Sequence, residues 1–453
     1  MSRQSRTLRW WDGVGVTFSL PAALFISLGP SVGALGAWTA LSLWGAMAAV
    51  AVLYNGLYVE MGAMFADKSG GIALYANEAW RTRAARIGPL ATYAYWFSWA
   101  TLPAILGLYA AQVAMRQFWP TSPYILNLRF VHVDASRCIA LIVVLFSWVL
   151  GMTRLRLTMT VVTLAGALLM IPVAIFALCP LTAHAWSTAS FSWRIGTGLV
   201  GTRTALAWCF VMAWSAYAVE APASFIPEYR ETVRDTQRAL RVSALLLLVV
   251  FLFAPLGIGG LIGERALAGD SSGFLPAATR ALFGGGGTAS TLDLIAAVLV
   301  RSVVGTAPAG RTLYQSACEG LTIRQFGVLS RDGLPVRAVT LQFAINVALI
   351  LFVGTPLSVI VAGNVGYVLA HVLAVCGFLL LRRDRPNAHR PIRLSEHWRV
   401  VAAVLAVFDA LLLIAGITGS AITGYGGLAE FAIAADVLAM SQVLYSWRRF
   451  QDR

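Results

Sequence analysis

Residues 13–35 read GVGVTFSLPAALFISLGPSVGAL, a run of 23 residues without a charged side chain. A helix needs roughly 20 mostly apolar residues to cross the hydrocarbon core of a bilayer. The run therefore predicts a membrane-spanning helix. Pro21 lies near its middle, where a proline removes a backbone hydrogen bond and interrupts the helix.

The rest of the chain has the same apolar character. Of its 453 residues, 58% are hydrophobic and 12% are charged, whereas a soluble domain has about 25% charged residues. We predict an all-α integral membrane protein with about twelve transmembrane helices, because backbone groups in lipid must bond within their own segment. The twelve runs lie near Gly13–Leu35, Trp38–Met64, Thr92–Met115, Cys138–Gly151, Leu157–Leu178, Leu199–Phe225, Val242–Ile262, Leu292–Tyr314, Val339–Val353, Leu357–Leu381, Val400–Ile422 and Leu428–Trp447.

The basic residues predict the orientation. Apart from Lys68, all 34 Lys and Arg residues are arginines, and they cluster in short connections such as residues 81–86 and 382–393. Such clustering indicates the cytoplasmic side of a membrane rather than a nucleic-acid partner, despite the net charge of +14. We expect no removable signal peptide and both termini in the cytoplasm. The Arg- and Ala-rich composition is typical of a bacterial protein, so we expect the bacterial inner membrane.

No group of residues indicates a cofactor, a metal or catalysis. The five cysteines are scattered without the spacing of a metal site or a paired disulfide; they are Cys138, Cys179, Cys209, Cys318 and Cys376. A membrane-embedded enzyme would need converging groups such as HExxH or paired aspartates, and the sequence offers neither. We therefore predict a protein that is not an enzyme.

A second interruption lies in the sixth run, where residues 214–222 read WSAYAVEAP. Paired breaks at the openings of two five-helix halves indicate an inverted repeat. We predict a first repeat at residues 12–180, an inverted repeat at 199–381 and two further helices at 398–447. Cytoplasmic tails complete the chain at residues 1–11 and 448–453. Ordinary proline kinks are the alternative interpretation, since proline is frequent in membrane helices.

Three motifs carry a resemblance to a known family. Residues 60–79 read EMGAMFADKSGGIALYANEA, residues 214–220 read WSAYAVE, and GRTLY at 310–314 is followed by DGLPVRA at 332–338. In this order they resemble the amino acid–polyamine–organocation (APC) superfamily of transporters, of the amino acid permease type. The resemblance implies a LeuT-type five-plus-five inverted repeat and an amino acid or amine substrate. The chain departs from the family at Ala218, where a glycine is usual.

Substrate contacts follow from the resemblance and from the dipoles of interrupted helices. A half-helix that begins inside the membrane directs free N–H groups at a carboxylate, and the carbonyls of the other break suit an ammonium. An aromatic residue beside the second break would close over the solute, and Tyr95, Trp96 and Trp99 are further candidates to line the cavity. The predicted substrate-binding residues are Ser19, Leu20, Pro21, Ala22, Ala23, Trp214, Ser215, Ala216, Tyr217 and Ala218.

Two charged residues inside spans need an explanation, because such charges are costly in lipid. Glu220 adjoins the second break, where it either carries a coupled proton or braces the turn through a structural hydrogen bond. Arg301 has several alternatives: an acidic substrate, an ion pair with Glu220 or Asp293, a substitute for a bound sodium ion, or a side chain that snorkels to the interface.

We therefore expect a secondary active transporter that moves an amino acid or related amine by alternating access, either coupled to protons or exchanging solutes. A sodium-coupled symporter of the same fold and a sensor that binds an amino acid without moving it are the alternatives. The expected partners are the small solute, the lipid bilayer and H⁺ or Na⁺. The sequence leaves a homodimer open.

Overall fold

The structure is a computed structural model that describes residues 6–68, 70–120, 125–128, 131–152, 155–269, 273–330 and 333–453. Ser69 and Asp332 of the quoted motifs, and the first five residues of the N-terminal tail, lie outside this part of the chain. The described residues are mostly helical, as the sequence predicts.

Twelve helical segments in the described residues follow the predicted runs, and we number them span 1 to span 12. The first six are Trp10–Thr17 with Pro21–Leu35, Ala37–Met64, Ile87–Ala100 with Leu102–Phe118, Ala135–Gly151, Leu155–Thr182, and Gly198–Tyr217 with the 3₁₀-helix Ala218–Glu228. The last six are Thr232–Ile262, Gly287–Cys318, Val336–Phe352, Pro356–Asp384, His397–Thr418 and Leu428–Gln451.

The spans differ in length and hydropathy. Eight of the described helices are long and apolar enough to cross a membrane by themselves, and apolar helices of 10–17 residues lie in spans 4, 5 and 9. Span 8 is 32 residues long but carries the charged side chains Asp293, Arg301 and Arg311. The shortness of spans 4 and 9 agrees with the sequence, in which these two apolar runs are the shortest.

Short elements connect the spans. The connecting helices are Gly71–Trp80, Glu264–Gly269, Phe274–Phe283, Arg324–Gly327 and Ser420–Thr423. The helix Phe274–Phe283 ends at Gly284, which has a positive φ of 70°. Strands Ile125–Leu128 and Val131–Asp134 form an antiparallel hairpin in which Asn127 pairs with His132. The sequence pattern did not predict this hairpin.

Burial divides the spans into a centre and a periphery. In the most apolar stretches of spans 1, 3, 6 and 10, between 78% and 94% of the residues are buried, against 11% to 50% in spans 2, 7, 11 and 12. The peripheral spans expose large aliphatic side chains, for example Leu245, Val404 and Val443. An exposed apolar surface of this extent is satisfied by lipid. Spans 1, 3, 6 and 10 therefore form the interior of the bundle.

Candidate functional site

The helix of span 1 is interrupted for only three residues. The first half ends at Thr17, and the second begins at Pro21. Within the turn, the N–H of Leu20 donates to the Thr17 carbonyl at 3.0 Å, and the N–H of Ala23 donates to the Leu20 carbonyl at 2.9 Å. The break therefore precedes most of the predicted segment Ser19–Ala23, and the N–H groups of Leu20, Ala22 and Ala23 are already engaged within the chain.

Span 6 changes helix type rather than unwinding. The α-helix continues through Tyr217, and a 3₁₀-helix that contains Pro222 and Pro227 follows from Ala218. Ala218 has a φ of −60°, and no described residue other than glycine has a positive φ. Right-handed backbone angles suit alanine, so this chain forms its second break without the glycine of the related sequences.

Two polar side chains bind backbone oxygen atoms at the breaks. The Ser215 hydroxyl donates to the Ala23 carbonyl at 3.1 Å and so joins the two interrupted spans. The Asn55 amide of span 2 donates to the carbonyls of Val219 at 3.0 Å and Leu240 at 2.9 Å. Val219 lies in the 3₁₀-helix, where a carbonyl lacks an α-helical partner. Tertiary hydrogen bonds therefore hold the breaks in place.

A small cavity lies between spans 1, 3, 6, 8 and 10. The volume in which the centre of a water-sized sphere can lie is about 10 Å³. This is about the volume that one water molecule needs. A solute larger than a water molecule would fit only if the walls of the cavity separated. The lining residues are Ala23, Ser98, Trp99, Leu102, Trp214, Ala218, Arg301 and Tyr367.

Glu220 lies beside this cavity and is completely buried. The Tyr95 hydroxyl donates to both of its carboxylate oxygens at 3.1 Å, and the Tyr367 hydroxyl donates to Oε1 at 2.9 Å. Tyr95 belongs to span 3 and Tyr367 to span 10. No Lys or Arg in the described part of the chain lies within 4.0 Å of this carboxylate. Glu220 thus joins three central spans through neutral hydroxyl groups.

Arg301 is the cation of the cavity lining, and only 1% of its surface is exposed. Its guanidinium carbon lies 5.3 Å from the ring centroid of Trp99, a cation–π contact. The Nε and Nη1 atoms of Arg301 have no hydrogen-bond partner among the described residues. No carboxylate of the described residues forms an ion pair with this side chain. The side chain is therefore buried in the bundle and does not extend to the membrane interface, and neither Glu220 nor Asp293 lies within 4.0 Å of its guanidinium nitrogens in the described structure.

The predicted substrate residues divide into two groups. Ala23, Trp214 and Ala218 line the cavity, together with Arg301, whereas the others are not among its lining residues. Ser19 donates to the Val16 carbonyl at 3.5 Å, and the Tyr217 hydroxyl points away to Asp409 of span 11 at 2.8 Å. Leu20, Pro21, Ala22, Ser215 and Ala216 are buried behind the lining.

Sequence reasoning missed Ser98, Leu102 and Tyr367 of the lining, although it named Trp99. Ser98 and Leu102 are one helical turn apart, on either side of a discontinuity at Thr101. The available signal was Pro103, which follows that discontinuity and begins a helix as proline commonly does. Tyr367 directly follows Gly366, where an added Cβ would lie 2.6 Å from the Ala94 carbonyl of span 3. This close approach places Tyr367 against the cavity.

Ion pairs hold the bundle at the end where the chain termini lie. Glu60 of span 2 accepts from Arg382 of span 10 at 2.5 and 3.1 Å, and Arg390 lies 3.2 Å from the same carboxylate. Glu228 at the end of span 6 pairs with Arg311 of span 8. Glu60 belongs to the first quoted motif, so at least part of that motif serves to fasten spans together.

A further carboxylate, Glu264, fastens the opposite end. Glu264 accepts from the N–H of Ala37 at 2.9 Å, from the N–H of Ser192 at 2.6 Å and from the Arg194 guanidinium. Burial opposes the ionised form of Glu264, but these hydrogen bonds outweigh burial and lower its pKa below the ordinary 4.5. The cavity therefore lies between two ends that are both closed by polar contacts.

The comparisons agree with this architecture. A family model described as "Amino acid permease" matches residues 8–432, a range that includes both breaks, the cavity and eleven complete spans. A comparison with curated proteins gives no match. Since one family model covers nearly the whole chain and the helical architecture is that of a membrane transporter, the chain belongs to the amino acid permease family of the APC superfamily.

Proposed function

We propose that this multi-pass membrane protein is a secondary transporter that moves its amino acid by alternating access and couples the movement to a proton bound at Glu220. Family membership supports an amino acid as the transported solute. The central cavity, enclosed between two polar closures, supports alternating access, since each closure would have to open in turn. The arginine-rich connections support a cytoplasmic location for both termini.

One observation carries the proton coupling, namely that Glu220 is fully buried, accepts hydrogen bonds from the Tyr95 and Tyr367 hydroxyl groups, and has no Lys or Arg within 4.0 Å in the described residues. An ionised carboxylate without a cation is costly in a membrane interior, and uptake of a proton removes that cost. The hydroxyl groups of Tyr95 and Tyr367 could no longer both donate to Glu220 if spans 3 and 10 moved apart. Protonation of Glu220 and movement of these spans are therefore expected to be linked.

Uptake by purified protein in proteoliposomes tests the proposal. An inside-alkaline pH gradient should raise the initial rate of amino acid uptake, and Glu220→Gln should lose this response. Glu231→Gln is the matched control, because its side chain is 63% exposed and the same charge is removed at the surface. Stimulation by a sodium gradient without a pH response would overturn proton coupling. Binding without uptake or counterflow would indicate a sensor.

A further inference from the structure

We propose, on the basis of the function proposed above, that the transported solute is a net anion with two carboxylates, an acidic amino acid or a close analogue, and that Arg301 binds its second carboxylate. The first observation is that the central cavity contains a buried guanidinium whose Nε and Nη1 have no partner in the described part of the protein. A buried charged donor left unsatisfied is unfavourable. A carboxylate is the group that a guanidinium binds best.

Trp99 packs against this guanidinium. Its ring centroid lies 5.3 Å from the Arg301 guanidinium carbon, and its indole N–H lies close to the Glu220 carboxylate without a well-formed hydrogen bond in the described residues. An indole N–H can only donate. Arg301 and Trp99 therefore present donors at one cavity, which favours a ligand that brings acceptor oxygens.

The main chain is poorly placed to bind both carboxylates. In the turn of span 1, the N–H groups of Ala22 and Ala23 donate to the carbonyls of Ser19 and Leu20. The positive end of the second half-helix still begins at Pro21, so one carboxylate can be stabilised there by the helix dipole. A second carboxylate would need a full positive charge, and Arg301 is the cationic side chain in the described lining.

An independent observation comes from the opposite end of the bundle to the chain termini. A cavity of about 270 Å³ lies there between the end of span 3, the connecting helices and the start of span 8. Its described lining includes Arg116, Arg265 and Arg280 and no carboxylate. A basic funnel raises the local concentration of anions and their rate of association.

Span 8 connects this arginine-lined vestibule to the cavity. Thr291 lines the vestibule, and Arg301 lies ten residues further along the same helix. Ten residues of α-helix rise about 15 Å. A solute that entered through the vestibule would therefore pass from three surface arginines to the buried Arg301 over that distance. Both ends of this path would attract a negatively charged solute.

Isosteric pairs of amino acids provide the test. Thermal stabilisation of the purified chain and uptake into proteoliposomes would be measured with L-glutamate against L-glutamine and L-aspartate against L-asparagine. We expect the acidic member of a pair to bind and to be transported, and its amide to fail. An amide that performs as well as its acid would overturn the proposal, as would a preference for neutral amino acids.

Arg301→Gln should weaken the apparent affinity for the acidic solute by at least about thirtyfold, the lower range for truncating one partner of a buried charge pair. Arg301→Lys keeps the charge and should restore part of the affinity, which separates loss of binding from loss of folding. Equal losses for acidic and neutral amino acids would show that Arg301 binds the common α-carboxylate, and the claim of a second carboxylate would fail. Uptake of neutral amino acids alone would refute this inference while the proposed function stood, whereas a failure to move any amino acid would refute the function itself.

The vestibule can be tested by ionic strength. Arg265→Gln should lower the initial uptake rate at low salt by about twofold or more and have little effect at high salt, since salt screens exposed charges. Arg393→Gln is the matched control, because its side chain is 64% exposed in the connection between spans 10 and 11. An equal effect of both variants, or none, would remove the vestibule from the proposal.

Discussion

The ion pair between Glu60 and Arg382 permits a sharp prediction, because Arg382 contacts one buried and one exposed carboxylate. Glu60 is 2% exposed and lies 2.5 Å from Arg382, whereas Glu396 is 58% exposed and lies 3.4 Å away. Removal of one partner from a buried pair costs about 3–5 kcal/mol, since the other charge is left uncompensated. Removal of an exposed partner costs less than about 1 kcal/mol.

We therefore expect Glu60→Gln to destabilise the protein far more than Glu396→Gln, although both variants lose one negative charge near the same arginine. Unfolding of large proteins is commonly irreversible, so the half-life at a fixed temperature is the appropriate measure. If about 3 kcal/mol acted entirely on the unfolding barrier, the half-life would fall by roughly 150-fold. A loss of up to about 1 kcal/mol would shorten it by no more than about fivefold.

The assay is thermal inactivation of the purified protein in detergent, followed by the loss of monodisperse material with time. A double variant, Glu60→Gln with Arg382→Gln, should lose less stability than the sum of the losses in the two single variants. In the double variant, neither position keeps a charge whose partner has been removed. Arg390 limits this recovery, since it also lies 3.2 Å from Glu60. Similar half-lives for Glu60→Gln and Glu396→Gln would refute the reasoning.

Three further predictions concern single residues. Asp409→Asn should retain the hydrogen bond from Tyr217 and lower the free energy of unfolding only slightly. Asp409→Ala should lower it by about 1–3 kcal/mol, because the Tyr217 hydroxyl is left unpaired. Denaturation of both variants measures the difference. A carboxyl group whose pKa is lowered by folding stabilises the fold at pH values above its pKa in the unfolded chain, and this contribution is lost as the pH falls through its pKa in the folded protein. The difference in stability between the parent protein and Glu264→Gln should therefore narrow below about pH 4.5. A difference that does not depend on pH would contradict this. Gly366→Ala places a Cβ 2.6 Å from a backbone carbonyl and should cost about 1–3 kcal/mol, whereas Gly285→Ala meets open space and should not destabilise.

The helices could be predicted from the sequence because length and hydropathy alone decide whether a segment crosses lipid. All twelve predicted runs correspond to helical segments. The hairpin of Ile125–Leu128 and Val131–Asp134 was missed. Strands of four residues carry too little periodicity to distinguish them from a loop.

The cavity could be predicted only in part, since proline marks a break approximately while tertiary contacts fix it. Pro21 lies directly after the first break, but the α-helix of span 6 ends at Tyr217, five residues before Pro222. The amide of Asn55, which binds Val219 from span 2, helps to determine where the backbone departs from the α-helix. No local pattern in span 6 contains that information. Tyr367 escaped prediction for the same reason, because the packing of spans 3 and 10 brings it to the cavity.

The buried charges show how the structure separates roles that the sequence leaves equivalent. Glu60, Glu220 and Arg301 all lie within predicted spans, and each is costly there by hydropathy alone. Glu60 has two arginine partners and therefore serves to join helices. Glu220 and Arg301 have no ion-pair partner within 4.0 Å in the described residues and lie at one cavity, where a proton at Glu220 and a carboxylate at Arg301 would compensate the two charges. A charge that the fold leaves without a counterion, at the place where the helices break, is the feature expected of a site that is completed by its solute.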